Sequence, residues 1–461
     1  MQKKGCRMEL EGFDKGKGKG GPPYAALLVV LLLVGLLGWG VSVLGETEKP
    51  RITPGADLSR FGQKREVALG LADAKRGLRS LKVIMRQENK VVVLLAKDYP
   101  RQGQFLGNGP HRVDEQLTIN AAAAGFKEGT AELLIEVRDY SLWGFTGNLT
   151  ALRLPVTIDT KPPAVSVVSL PQHIKTGSAG IVVYHVNEAV TQSGVTINGH
   201  YHPGFPLPSQ GAGTYGAIIG LPYDLQKFEE TVVSAVDQAG NTGKAAFTLA
   251  LRPGRVTRDR ITISDDFLNA KLPEFAQHYP ELKGTPVEQY LMVNGEIRDK
   301  NYQTVQEICK KSTPERLWDG AFQRMAGSPK AGFADVRSYL YQGKEIDTQT
   351  HLGVDIASLE HFEVPAANRG IVVFADYLGI YGNTVILDHG QGIFTLYSHM
   401  SQINVTKGAK VEKGTSVGLT GTTGLAGGDH LHFSVLVNGI FVSPIEWWDA
   451  HWLQDNLLHV I

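Results

Sequence analysis

The chain has 461 residues, room for about three domains of ordinary size. Its 46 basic and 46 acidic side chains cancel, which excludes the basic excess of a protein that tracks nucleic-acid phosphates. A 42% hydrophobic composition with 20% charged residues excludes bulk disorder.

Glycine stands out, at 53 residues. That is well above the usual ~7%, and without a collagen-like period it implies many turns and therefore a mainly β chain. Two cysteines, Cys6 and Cys309, build neither a disulfide framework nor a cysteine-based metal knuckle. Any metal ligands must come from Asp, Glu and the 14 His.

In chain order, residues 1–24 carry Lys3, Lys4, Arg7, Lys15, Lys17 and Lys19 against Glu9, Glu11 and Asp14. Residues 25–45, AALLVVLLLVGLLGWGVSVLG, are uncharged and long enough to span a bilayer as a helix. The positive-inside rule then leaves the N-terminus cytoplasmic and everything after residue 45 outside the inner membrane, or periplasmic. A cleaved leader is the alternative, but the apolar run exceeds the usual leader core and the charged head is long. An uncleaved single-pass anchor is expected. A lipoprotein is not, because Cys6 precedes the apolar run.

Residues 46–61, with Pro50 and Pro54, read as a linker. Two segments of alternating strands follow, 62–160 and 161–254. Each closes on a strand, a turn and a strand: Asp139 and Asn148 in the first, Asp237 and Asn241 in the second. Their length and period-2 pattern fit small β-sandwiches, similar in pattern to bacterial immunoglobulin-like modules. Asx side chains stabilise turns without a metal, so the turn reading is preferred over calcium ligation. The modules read as spacers, with binding of a protein regulator as the sharper option. His200 and His202 follow Asn198-Gly199 in a hairpin signature and read as surface residues.

Residues 255–330 read as a short helical connector that could cover the following domain as a regulatory segment. Thr285-Pro286-Val287-Glu288 has the capping-box signature of a helix start, and Ser312-Thr313-Pro314-Glu315 repeats it. Cys309 is expected to pack as a small apolar residue.

Strand patterns return over 331–453, before a short tail at 454–461. Eight of the 14 His lie beyond residue 350. HLGVD places His351 and Asp355 four residues apart. HLHF places His430 and His432 at i and i+2, on one face of a strand. His361, His389 and His451 read as satisfied core residues.

The segments HLGVDIAS, VPAANRGIVVFA, YGNTVILDHGQGIFTLYSHM, VTKGAKVEKGTSVGLTGTTG, HLHFSVLVNG and SPIEWW occur in this order. Together they resemble the lysostaphin/LytM-type zinc metallopeptidases, the β-lytic metalloendopeptidase family. One departure is LAGGD before HLHF, where many members have a short Ser-Thr-Gly turn.

The resemblance implies a β-rich groove domain holding one Zn²⁺, with His351, Asp355 and His432 as ligands. His399 and His430 become the catalytic histidines. Tyr381 and Asn383, in YGN, are expected along the substrate groove, although hairpin geometry explains them equally well. Three protein ligands leave a zinc position open, as a catalytic site requires, and bound zinc can bring a water pKa down to about 7. The sequence does not say which histidine takes the proton.

The implied function is a membrane-anchored zinc endopeptidase that hydrolyses peptidoglycan peptides. The alternative is a catalytically inert wall-binding regulator that activates a separate hydrolase. Such relatives have degraded ligand sets, and this chain has a full one.

Overall fold

The computed structural model describes residues 23–44, 46–102, 108–141, 146–171 and 173–461. Cys6 and the basic residues before the apolar run lie outside them. The structure is mainly β, with 45% strand and 17% helix. It divides into two compact units, Met1–Thr160 and Lys161–Ile461.

The first unit begins with helix α1 (Pro23–Leu44). The leucines and valines described along it are more than half exposed. Among the described residues no helix is long and apolar enough to cross a membrane. The spanning segment expected at 25–45 therefore gains no support from the fold.

After α1 comes a sandwich of a three-stranded and a five-stranded sheet. Leu69, Leu71, Leu81, Val83 and Ile135 fill the space between them. The expected linker 46–61 is not merely a linker. Its strand Arg51–Pro54 pairs antiparallel with Arg65–Ala72, and Arg60–Phe61 pairs with 157–158. Phe61 is fully buried, and that burial draws the segment into the sheet.

The second unit opens with a sandwich of two four-stranded sheets around Val182, Tyr184, Val195 and Val233. Asn198 and Gly199 both have positive φ (46° and 81°), as a type I′ hairpin turn requires. This sandwich is not a separate spacer. Ile181, Val183 and Ile218 share one apolar cluster with Val435, Val437 and Trp447 of the last domain. The seam is closed by Ser443 N–H donating to Gly177 O (2.8 Å) and Asn438 Nδ2 to Ile218 O (3.1 Å).

His202, expected at the surface, is fully buried in that seam and accepts from Asn438 Nδ2 at 3.0 Å. Burial pushes its pKa down to about 3, so it packs as a neutral ring.

The connector contributes strand Arg258–Ile263 and helices α2 (Asp265–His278), α3 (Pro286–Met292) and α4 (Arg298–Ile308). The capping box at Thr285 is formed, with Glu288 returning to the Thr285 N–H. The repeat at Ser312 starts no helix. Ser312 Oγ and Thr313 N–H instead donate to the two oxygens of Asp388, at 2.7 and 2.8 Å. A buried carboxylate outcompeted the cap. Cys309 is buried, and burial pushes its thiol pKa up.

The last domain is built on a seven-strand path joining 328–331, 354–357, 431–437, 393–400, 383–390, 370–377 and 410–411 in that order. Adjacent strands are antiparallel. A second layer, 258–263, 335–341 and 344–351, delivers His351 at its last residue. The expected tail is part of the core, since Leu457 is fully buried.

Candidate active site and metal centre

Sheet register builds the site. Asp355 lies directly opposite His432 on neighbouring strands, and Ser398 lies opposite His432 on the other side, so Asp355 and His432 are within cross-strand reach. His351 arrives from the end of the 344–351 strand. His351 Nε2 is 2.9 Å from Asp355 Oδ1 and 2.8 Å from His432 Nδ1, and His432 Nδ1 is 3.1 Å from the same Oδ1. All three residues are buried.

The outer hydrogen bonds fix which nitrogens carry protons. His351 Nδ1 donates to Gly332 O at 2.8 Å, so Nε2 keeps its lone pair. Ser434 Oγ donates to Leu352 O (2.8 Å) and therefore accepts from His432 Nε2 (3.0 Å). This leaves the lone pair of His432 on Nδ1. Two imidazole lone pairs 2.8 Å apart beside a carboxylate oxygen repel one another unless a cation lies among them. Two imidazoles and one carboxylate are a suitable donor set for zinc, with a position left open. The residues fit the metal.

Electrostatics agree. Burial alone would raise the Asp355 pKa, but the neighbouring His351, with His430 and His432, holds it well below the usual carboxylate range. Burial lowers the His432 pKa to about 4, which keeps it neutral. Arg337 Nη2 takes the other carboxylate oxygen, Asp355 Oδ2, at 2.9 Å, so Oδ1 alone faces the histidines.

His399 and His430 stand beside this triad with ring centroids 4.8 Å apart. His399 Nδ1 donates to Thr423 O at 2.8 Å, leaving Nε2 as an acceptor. Burial, then the charges of His430 and His432, push its pKa well down. Its φ of 64° is a left-handed conformation that non-glycine residues seldom adopt, and such strain clusters at functional sites.

His430 Nδ1 donates to Gly428 O (2.8 Å), and its Nε2 is 3.6 Å from Asp355 Oδ1. Burial opposes its charge, but Asp355 outweighs burial and raises the pKa. The surroundings thus shift the two rings in opposite directions.

The five residues open into a cleft of about 550 Å³, walled on one side by Ile261, Ile263, Phe267 and Tyr290 of the connector. Tyr381 lines the cleft with its ring centroid 5.6 Å from His432, and burial raises its pKa to about 12. Asn383 is not among the lining residues. Its Nδ2 donates to Met400 O and its N–H to Thr423 Oγ1, both at 2.9 Å, which ties strand to loop. His389 is buried between Arg369 O and Thr395 Oγ1. His361 and His451 are exposed rather than core, His361 at 63% beside Ser401.

Sequence reasoning missed Arg337, Ser434, Glu274 and Gly353. Ser434 carried a signal, two residues past His432 on the same strand face. A Cβ on Gly353 would lie 2.5 Å from His432 Nε2 and 2.7 Å from Phe433 O, so the glycine in HLGVD is needed for close approach. Glu274 of α2 accepts from Gly424 N–H at 2.6 Å, next to the carbonyl that orients His399.

Residues 349–444 match peptidase family M23. The C-terminal domain belongs to that family. The chain is 37% identical over 96 residues to the DD-carboxypeptidase/endopeptidase Mpg of Neisseria meningitidis serogroup B, covering 21% of this chain and 22% of that protein. It is 31% identical over 164 residues to the peptidoglycan DD-endopeptidase ShyA of Vibrio cholerae serotype O1, covering 36% and 35%. The murein hydrolase activator EnvC of Escherichia coli K12 is 35% identical over 95 residues, covering 21% and 23%. The matches thus span between 22% and 35% of the length of these relatives.

Proposed function

We propose that the protein is a zinc endopeptidase that hydrolyses peptide bonds in peptidoglycan. The observation that carries this reading is the convergence of the His351 and His432 lone pairs on Asp355 Oδ1, with two further histidines beside them. His351, Asp355 and His432 would hold a zinc ion, which would supply Lewis acidity toward water and the scissile carbonyl.

The remaining steps belong to side chains. Neutral His399 accepts the proton of the attacking water at Nε2, its ring aimed by Thr423 O. Protonated His430 donates toward the developing oxyanion. Arg337 holds Asp355 ionised and oriented, and the Tyr381 hydroxyl stays protonated as a donor along the cleft. The named endopeptidase relatives support peptidoglycan as the substrate.

Digestion of purified peptidoglycan, with mass identification of the fragments, tests the reading. Release of no peptide fragments by zinc-loaded protein would overturn it. The match to EnvC favours a second reading, an inert activator of another hydrolase, and the complete donor set argues against that. Purified protein without stoichiometric zinc would favour the activator.

The apolar run 25–45 is proposed to anchor the chain in the inner membrane with the M23 domain outside the cytoplasm. The charge-free sequence of that run supports this. The first sandwich, beyond the shared core of the second unit, is the surface proposed for a protein regulator. The connector is proposed to act both as a wall of the cleft and as the segment that regulates access to it.

A further inference from the structure

A second set of convergent oxygens lies in the first sandwich, outside the M23 domain. Glu46, Asp73 and Asp139 each offer one ligand atom, all within 4.8 Å of one another. They are 7%, 3% and 0% exposed. Three separate segments deliver them: Glu46 lies two residues past α1, Asp73 follows the strand Arg65–Ala72, and Asp139 ends the strand Gly129–Asp139.

Backbone donors account for part of this set. Glu46 Oε1 accepts from Arg76 N–H at 3.2 Å. Asp73 Oδ1 accepts from Lys75 N–H at 3.2 Å and Gly77 N–H at 2.6 Å. Asp139 Oδ1 accepts from Ser141 and Asn148 N–H, and its Oδ2 accepts from Asn148 Nδ2 at 2.8 Å, so the turn expected there is formed.

What the turn leaves over is the point. Glu46 Oε2 and Asp73 Oδ2 are buried and have no hydrogen-bond partner among the described residues. Buried carboxylate oxygens without donors are costly and call for a cation or a shared proton. Burial, then the charges of Asp73 and Asp139, raise the Glu46 pKa, as expected of like charges crowded without a counter-ion. The Lys75 ammonium acts the other way on Glu46 and pairs with Glu48 Oε2 at 3.8 Å.

We propose that Glu46, Asp73 and Asp139 bind a calcium ion. The donors are all carboxylate oxygens, which select a hard cation over zinc or copper. Carboxylates drawn from three separate segments suit the irregular six- to eight-oxygen shell of Ca²⁺ better than the strict octahedron of Mg²⁺, with water completing the shell. The ion would fasten the chain leaving α1 to the sandwich, reinforcing Asn148 Nδ2, which already donates to Glu46 O (3.0 Å) and Glu48 O (2.9 Å). The site does not depend on the peptidase reading.

The test is calorimetric titration of the full-length, zinc-saturated protein in detergent with CaCl₂, and separately with MgCl₂. One Ca²⁺ per chain is expected, with Kd in the range of about 0.1–1 mM found for extracellular modules and Mg²⁺ binding at least about tenfold weaker. Glu46→Gln and Asp73→Asn keep the acceptors for Arg76, Lys75 and Gly77 while removing a charge. Each should weaken Ca²⁺ binding by about tenfold or more and leave peptidoglycan hydrolysis unchanged. Wild-type protein that binds no Ca²⁺ up to about 5 mM, beyond that range, overturns the proposal in favour of a proton shared by Glu46 and Asp73. Unchanged affinity in both variants overturns it equally. The wild-type isotherm decides even if a variant fails to fold.

Discussion

Ser434→Ala probes the proposed metal centre without touching a ligand. In the wild type the Ser434 hydroxyl gives its proton to Leu352 O and accepts from His432 Nε2, which fixes the lone pair of His432 on Nδ1. Alanine leaves a buried N–H without an acceptor, at a cost of about 1–3 kcal/mol. The ring can escape that cost by moving its proton to Nδ1, but the proton then points at Asp355 Oδ1 and His351 Nε2, where the metal would sit.

Either way the cost falls on the metal-bound state. At about 1.4 kcal/mol per decade, zinc affinity should fall by about 5- to 150-fold, the scale seen when outer partners of metal ligands are removed. Competition with a chromophoric chelator measures the affinity, and hydrolysis at saturating zinc separates binding from turnover. An affinity within about twofold of wild type, in a variant that melts normally, would refute the tautomer argument.

Two further expectations follow from the same geometry, and a third from the seam between the second sandwich and the last domain. Gly353→Ala puts a Cβ against the His432 ring and Phe433 O and should destabilise by about 1–3 kcal/mol while weakening zinc binding; unaltered melting and zinc content would contradict the close-approach argument. Glu274→Ala frees Gly424 N–H and loosens Thr423, so kcat should fall by about 10- to 100-fold with zinc content unchanged; lost zinc with unchanged kcat at saturation would point to a purely structural role.

Burial of Glu446 in the seam raises its pKa from 4.5 to about 7, against Ser178, Lys175 and Ala179. The folded state therefore binds the Glu446 proton more tightly than the unfolded chain does. Its stabilising contribution is fully present below pH 4.5 and is lost as pH rises through about 7, a change of about 1–3 kcal/mol. Glu446→Gln should flatten that stretch of the melting profile and exceed wild type in Tm at pH 8, whereas parallel profiles would contradict it.

The residues legible in the sequence are those whose meaning is local. HLHF presents His430 and His432 at a spacing that an extended chain converts directly into a shared face, whereas HLGVD spans the step from the 344–351 strand to the 354–357 strand. The Thr285 capping box closes within one helical turn. The β-rich character followed from glycine and period-2 runs.

What escaped reading depends on partners distant in the chain. Arg337 matters because a strand hairpin lays it against Asp355. Ser312 fails to cap because Asp388 captures its hydroxyl and the next N–H. His202 looks like a hairpin surface residue until the sandwich packs on the M23 domain and buries it. Phe61 and Leu457 pull a linker and a tail into the cores. In each case a tertiary contact outweighed a local preference of about 1 kcal/mol or less.

The central claim is tested most directly by incubating purified peptidoglycan with the zinc-loaded full-length protein and with folded Asp355→Ala, then identifying the released fragments by mass. The account predicts peptide-bond cleavage products from the wild type and none above background from the variant. Equal product from both, or none from a wild type shown to carry zinc, would contradict it.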